Sequence, residues 1–184
     1  MKNINIKKLL FAIILSIFIL PLNIYAAGNA NKDINKKAQA IIKTADKKMF
    51  CGNSKDFTKK LNVYRKSKGM PAIKESKELN EIAMARCVEE LNKYIKTGDA
   101  DHNSPSNIND TYAENLRVGK YFDEKPYTNV DDYCIKRWSN SKEHNENLLD
   151  KEYKTIGYAS VKMTVDGATS VSYTHLTLPT TPYV

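Results

Sequence analysis

Apolar residues recur at helical spacing in two successive stretches of the chain. Phe57, Leu61 and Tyr64 fall at i, i+4 and i+7, which predicts a helix capped by Ser54 and ended by Gly69 and Pro71. Leu79, Ile82, Ala83, Cys87, Leu91 and Tyr94 predict a longer helix from Ser76 to Ile95, with Glu81, Arg86, Glu89 and Lys93 off the apolar stripe. Thr97-Gly98-Asp99 stops it. Residues 99–129 are rich in Asn, Ser, Pro and Asp and read as loop, interrupted by the short element Tyr112-Ala113-Glu114-Asn115-Leu116. A third helix is expected from Asn129 or Val130, with Val130, Cys134, Trp138 and Ser141 on its inner face and Trp138 in the core. Asn145 to Leu149 adds a short turn. A strand follows from Thr155 to Val165, Asp166-Gly167 is a hairpin signal, and the return strand begins at Ala168. Helices followed by strands, without βαβ alternation or an internal repeat, point to an α+β or three-layer α/β/α domain rather than a parallel sheet.

The ends of the chain read differently. Lys2, Lys7 and Lys8 precede an apolar run from Leu9 to Leu20, which Pro21 breaks and Ala26 follows. The run is shorter than the roughly 20 residues a spanning helix needs. Residues 1–26 are therefore expected to be a secretory signal peptide, and the protein secreted or extracellular, with cell-envelope association as one variant. Residues 27–50 are Lys/Asn/Ala-rich and read as a spacer with a short helix at 35–48; the domain proper is taken as 51–170. Residues 171–184, VSYTHLTLPTTPYV, hold no Asp, Glu, Lys or Arg, whereas the domain before them is rich in Lys, Asn, Asp and Glu. The string VSYTHL resembles one reading frame of a sequencing-library transposon adapter. The expectation is a non-native tail in place of the true C-terminus, with the last strand of the domain missing.

Composition narrows the functional classes. The 184 residues are 41% hydrophobic and 27% charged, enough apolar material for one core, which excludes a multi-span membrane protein and a collagen-like chain. Lys and Arg number 29 against 21 Asp and Glu, a net charge of +8. Loss of residues 1–26 removes three Lys and leaves +5. Much of the excess lies in residues 32–60, suited to a solvated surface or to an anionic wall polymer or membrane surface. The basic residues are not interleaved with stacking aromatics, so nucleic acid is not an expected partner.

Cys51, Cys87 and Cys134 are an odd set, open to a disulfide of unknown pairing, a free thiol or a lost partner. No local Cys/His motif argues for a nucleophile, and Cys87 lies on the apolar face of its helix. His102, Glu114 and His144 are ligand types that Zn²⁺ accepts, although 42 residues separate the two His and only a fold can join them.

Four passages then resemble the CAP superfamily of cysteine-rich secretory, antigen 5 and pathogenesis-related 1 proteins, in its bacterial SCP-like extracellular form. Leu61-Asn62-x-Tyr64-Arg65 with Gly69 is similar to the first helix of the family. Leu79 with Ala83, Arg86 and Glu89 is similar to the second. Ala113-Glu114-Asn115-Leu116 resembles Gly-Glu-Asn-(Leu/Ile). Trp138-x-x-Ser141-x-x-His144-x-x-Asn147-Leu148-Leu149, then Tyr153 and Ile156-Gly157, resembles the last conserved block. The likeness covers about residues 55–170. It implies a three-layer α-β-α sandwich with a small, mostly antiparallel sheet and a cleft holding His102, Glu114 and His144, supported by Asn115, Trp138 and Ser141. Such clefts bind a divalent metal in some members, which makes zinc or another divalent cation the candidate ligand here, and no cofactor is otherwise required. Ala113 stands where the family usually has Gly, and Asn103-Ser104 follows His102 where bacterial members have Thr-Arg-Pro. A second cleft Glu has no counterpart, and Glu143 does not match one. The resulting expectation is a non-catalytic binding module for a metal, lipid or peptide. The alternative is a metal-dependent, protease-like hydrolase using His102, Glu114 and His144.

Overall fold

The computed structural model describes residues 32–108, 113–121, 130–165 and 168–179. The signal-peptide reading, the Asp166-Gly167 turn and the last five residues lie outside them. The chain divides into Met1–Ile34, of which residues 32–34 are described and are helical, and Asn35–Val184. Within the second unit, α1 covers residues 35–44 and a 3-10 turn covers Lys47–Met49. There follow α2 (Ser54–Ser67), β1 (Lys74–Glu75), α3 (Lys77–Thr97), β2 (Ala113–Tyr121), α4 (Val130–Ser139), α5 (Lys142–Leu149), β3 (Tyr153–Val165) and β4 (Ala168–Pro179). Among the described residues no helix is long and apolar enough to cross a membrane.

The strands form one sheet in the order β1-β3-β4-β2. β1 runs parallel to β3, and β4 pairs antiparallel with both β3 and β2. α3 packs on β3 and β4, whereas α2 packs on β3 and meets α4 and α5. This is the α-β-α sandwich, an α+β domain with a mostly antiparallel sheet. The period of two along β3 supplies both layers. Ile156 and Tyr158 enter the apolar cluster with Phe57, Leu61, Cys134, Trp138 and Leu148. Gly157 and Ala159 face α3, where small residues let the helix axis come close. A Cβ on Gly157 would overlap the Leu79 backbone, so glycine is required there. Trp138 is in the core as expected, edge-on to Phe57 at 6.0 Å, and Phe57 stacks on Tyr158 at 3.9 Å.

Several boundaries move for identifiable reasons. The cap of α2 is Asn53, whose side chain accepts from the Lys55 and Asp56 amides, while Ser54 is the first helical residue. α3 starts on the Ser76 cap and ends on Gly98 at φ 78°, in the left-handed region where glycine carries no Cβ penalty. The turn expected at 145–149 is a full helix, α5. β2 extends five residues past Leu116, held by pairing to β4 rather than by its own pattern.

The spacer expectation is corrected. Residues 35–50 are not a spacer: Ala38 and Met49 are buried, Phe50 pairs with Val161, and the Cys51 amide donates to Ser160 O at 3.0 Å. That pairing satisfies part of the β3 edge that the two-residue β1 leaves open. The place of the last strand is filled by a stretch that takes in most of the uncharged tail. Residues 168–179 form β4 between β3 and β2, with the backbone register running from Val165–Ala168 to Tyr153–Pro179. Alternation through Val171, Tyr173 and His175 suits a strand, and a strand in that place pairs both neighbours at once. Cys51 is exposed and Cys87 and Cys134 are buried, and the possible disulfide among the three is not formed.

Candidate functional site

Side-chain amides lock the frame around the site. Asn62 pairs with the Ile73 backbone in both directions, donating to its carbonyl at 2.9 Å and accepting from its amide at 2.8 Å. Asn80 accepts from the Tyr158 amide at 3.0 Å, which anchors α3 on the β3 edge. Asn115 on β2 donates to His144 O at 2.9 Å and accepts from Asn147 Nδ2 at 3.0 Å. Asn115 thereby ties the α5 backbone at His144 to the strand that carries Glu114. Ser141 sits immediately before α5 as its cap residue, without a side-chain capping bond.

Glu114 lies at the centre of a buried ion network. Its Oε1 accepts from Arg86 Nε at 2.9 Å, and its Oε2 accepts from Arg86 Nη2 at 3.3 Å and lies 2.8 Å from His102 Nδ1. Arg86 has no exposed surface and also donates to Glu89 at 3.0 Å and Glu90 at 3.2 Å. Ser104 Oγ donates to Glu89, and the Asp101 amide donates to Glu90, which closes the 101–104 loop onto α3. His102 and Glu114 are brought together, then, as expected. Arg86, which organises them, is buried rather than on the polar face where the helical pattern put it. Its signal was present: Arg86 and Glu90 fall in helical phase with Leu79, Ile82 and Ala83, inside the apolar stripe.

The electrostatics follow from this geometry. Burial alone raises the Glu114 pKa, but hydrogen bonds and charge from His102 and Arg86 outweigh it and hold the carboxyl below its ordinary value. The hydrogen bond to Glu114 raises the pKa of His102, against burial and the Arg86 charge. His144 is lowered, first by burial and then by the charge of His102. The two imidazoles are thus shifted in opposite directions. By linkage, the raised His102 contributes stability that is complete below pH 6.5 and fades as pH rises through its folded value. The depressed Glu114 contributes above pH 4.5 and is lost as pH falls through its folded value. In an NMR titration, His102 is expected to titrate above 6.5 and His144 below it. Glu114→Gln should bring His102 back toward 6.5, and His102→Ala should bring His144 up. Identical, unshifted titrations would contradict the network.

The donor set around Glu114 suits a divalent metal poorly. Both oxygens of Glu114 are engaged, and a guanidinium 2.9 Å away opposes any cation at that carboxylate. Among the described residues, no group of three His, Cys, Asp or Glu side chains is placed to hold a metal ion. These residues do not fit a three-ligand centre built on His102, Glu114 and His144. The thiols are poor nucleophiles as well: burial pushes Cys51 and Cys134 up, and Cys87 donates to Ala159 O.

The sequence profile of the cysteine-rich secretory protein family, CAP, matches residues 58–174. The chain belongs to this family. The matched span runs from the first turns of α2 into β4 and includes every residue of the ion network. Among solved structures, the CAP domain here is similar to an outer surface protein from Borrelia burgdorferi, at 14% identity over 68% of this chain and 91% of that one, with a TM-score of 0.47. A cysteine-rich secretory protein from Staphylococcus aureus matches at 22% identity over 65% of this chain and 36% of that one, with a TM-score of 0.38. An extracellular protein containing a SCP domain from Bacillus anthracis matches at 14% identity over 66% and 40%, with a TM-score of 0.41. This chain therefore spans well under half the length of those last two proteins. No curated protein matches it.

Proposed function

We propose that this CAP domain is an extracellular, non-catalytic binding module whose cleft takes a ligand bearing an acceptor oxygen, such as a peptide carboxylate or carbonyl. One observation carries the reading: both oxygens of Glu114 are committed to Arg86 and His102. A carboxylate held in that way, with a depressed pKa, is neither a base near neutral pH nor an open metal ligand. What the cleft offers instead is the more than half-exposed His102 imidazole, held by Glu114 in a raised-pKa, donor-rich state. The Lys2, Lys7 and Lys8 start followed by the Leu9–Leu20 run supports export.

The test uses N-acetyl amino acids as probes. They are expected to shift the His102 ring signals saturably, to lose that effect in His102→Ala, and to be recovered unchanged. Zinc ions should leave the melting temperature where it was. Peptide turnover that disappears in Glu114→Gln would overturn the proposal in favour of the hydrolase. So would a zinc-dependent rise in melting temperature abolished by His144→Ala.

A further inference from the structure

Charge is divided very unevenly along the chain. Residues 35–68 hold eleven Lys and Arg against two acids, Asp46 and Asp56, a net +9. Residues 69–184 hold 14 basic against 18 acidic residues, a net −4. The fold keeps this division in space. The basic segment follows the β1/β3 side of the sheet: α1 hydrogen-bonds to α3 through Asn35–Glu78 and Gln39–Glu81, Phe50 and Cys51 pair with the β3 edge, and α2 packs on the other layer. Glu114 lies on the opposite outer strand, β2, two strand spacings or about 10 Å from β3, and His102 meets it from the loop after α3.

Within the segment, α2 is sharply two-faced. Phe57, Leu61 and Arg65 are buried, while Lys55, Lys59 and Lys66 are exposed. Offsets of 4 and 11 residues place these three lysines on one side of the helix, along about 16 Å of its axis. None of the three has an acidic partner among the described residues. Val63 is the one large apolar side chain exposed on this helix, and no Trp, Phe or Leu accompanies it. A helix that inserts into a bilayer needs such an apolar face. A row of lysines without one suits a flexible polyanion that lies along it.

We propose that the α2 lysine row is a docking surface for a soluble anionic polymer with repeating phosphodiester groups, which holds the protein by one edge of its sheet and leaves the His102 cleft on the other. The proposal concerns a different surface from the cleft and stands or falls separately from it. The probe is a glycerol-phosphate polymer, with phosphatidylglycerol vesicles carrying the same phosphodiester in a bilayer. The full chain should bind the polymer with an affinity that falls steeply as salt rises, through counterion release. Lys55→Glu/Lys59→Glu/Lys66→Glu should bind about 100-fold more weakly, with a salt slope shallower by about 2. Lys96→Glu/Lys142→Glu/Lys151→Glu makes the same change in net charge at exposed sites elsewhere and should stay within about threefold of wild type. Both triples alter exposed side chains, and unchanged melts confirm that each remains folded. Equal weakening by the two triples would overturn the proposal, because net charge alone would then explain binding. Binding to the vesicles without binding to the polymer would overturn it in favour of a membrane surface.

Discussion

Replacing Arg86 by Met is expected to cost about 3–5 kcal/mol of folding stability at neutral pH, the range for breaking a buried ion pair from one side. The guanidinium has no exposed surface and holds three carboxylates, Glu89, Glu90 and Glu114. Met fills similar volume, so the loss is electrostatic rather than a cavity. Three desolvated carboxylates then face one another without a fixed cation. Burial already raises Glu90 against the charge of Arg86, and without Arg86 nothing on α3 offsets that burial as strongly. Carboxyls with raised folded pKa values destabilise above those values, and the penalty fades as pH falls toward 4.5. Urea melts at pH 7 and pH 4 should therefore give a large loss at the first and a smaller one at the second. An equal loss at both would mean that Arg86 acts through packing and not charge. Arg86→Lys should recover only part of the stability, because an ammonium cannot reproduce the forked contacts to Glu114.

Arg65→Met is expected to cost about 2–4 kcal/mol, because the buried Leu148 carbonyl loses its donor at about 1–3 kcal/mol and two part-buried carbonyls lose a charged donor at less. Arg65 donates to Pro71 O at 2.8 Å, to Leu148 O at 2.6 Å and to Asp150 O at 3.0 Å. These bonds join the loop after α2 to the end of α5, just before β3. Burial lowers the pKa of Arg65, with Asp150 opposing it, yet the group remains a cation under all ordinary conditions. Arg65→Lys should fall between wild type and Met. A denaturant melt showing less than about 1 kcal/mol of loss for Met would mean that water replaces the side chain at those carbonyls.

The site residues were legible to different degrees. Glu114, Asn115 and His144 were picked out by motif order, and the structure places Asn115 between the His144 backbone and Asn147. The reading of Glu114 as a metal ligand depended on treating its oxygens as free, which only the position of Arg86 could decide. Arg86 lies 28 residues before Glu114 in the chain, and no local pattern states that a helix arginine will meet a strand carboxylate. The clue available was phase. Arg65 follows Phe57 and Leu61 at i+8 and i+4, and Arg86 follows Ile82 at i+4, so both arginines sit on stripes otherwise reserved for the core.

The sequence by itself determined the amphipathic helices α2, α3 and α4, the Ser76 and Gly98 ends of α3 and the β3–β4 hairpin order. These rest on periodicity and on backbone rules that act within a few residues. Tertiary structure alone decided that 35–50 seals the β3 edge, that 168–179 fills the centre of the sheet, and that Arg86 neutralises Glu114. Each of these is a pairing between distant segments, where an open strand edge or a buried charge is costly until a partner arrives. Which partner arrives depends on the path of the whole chain.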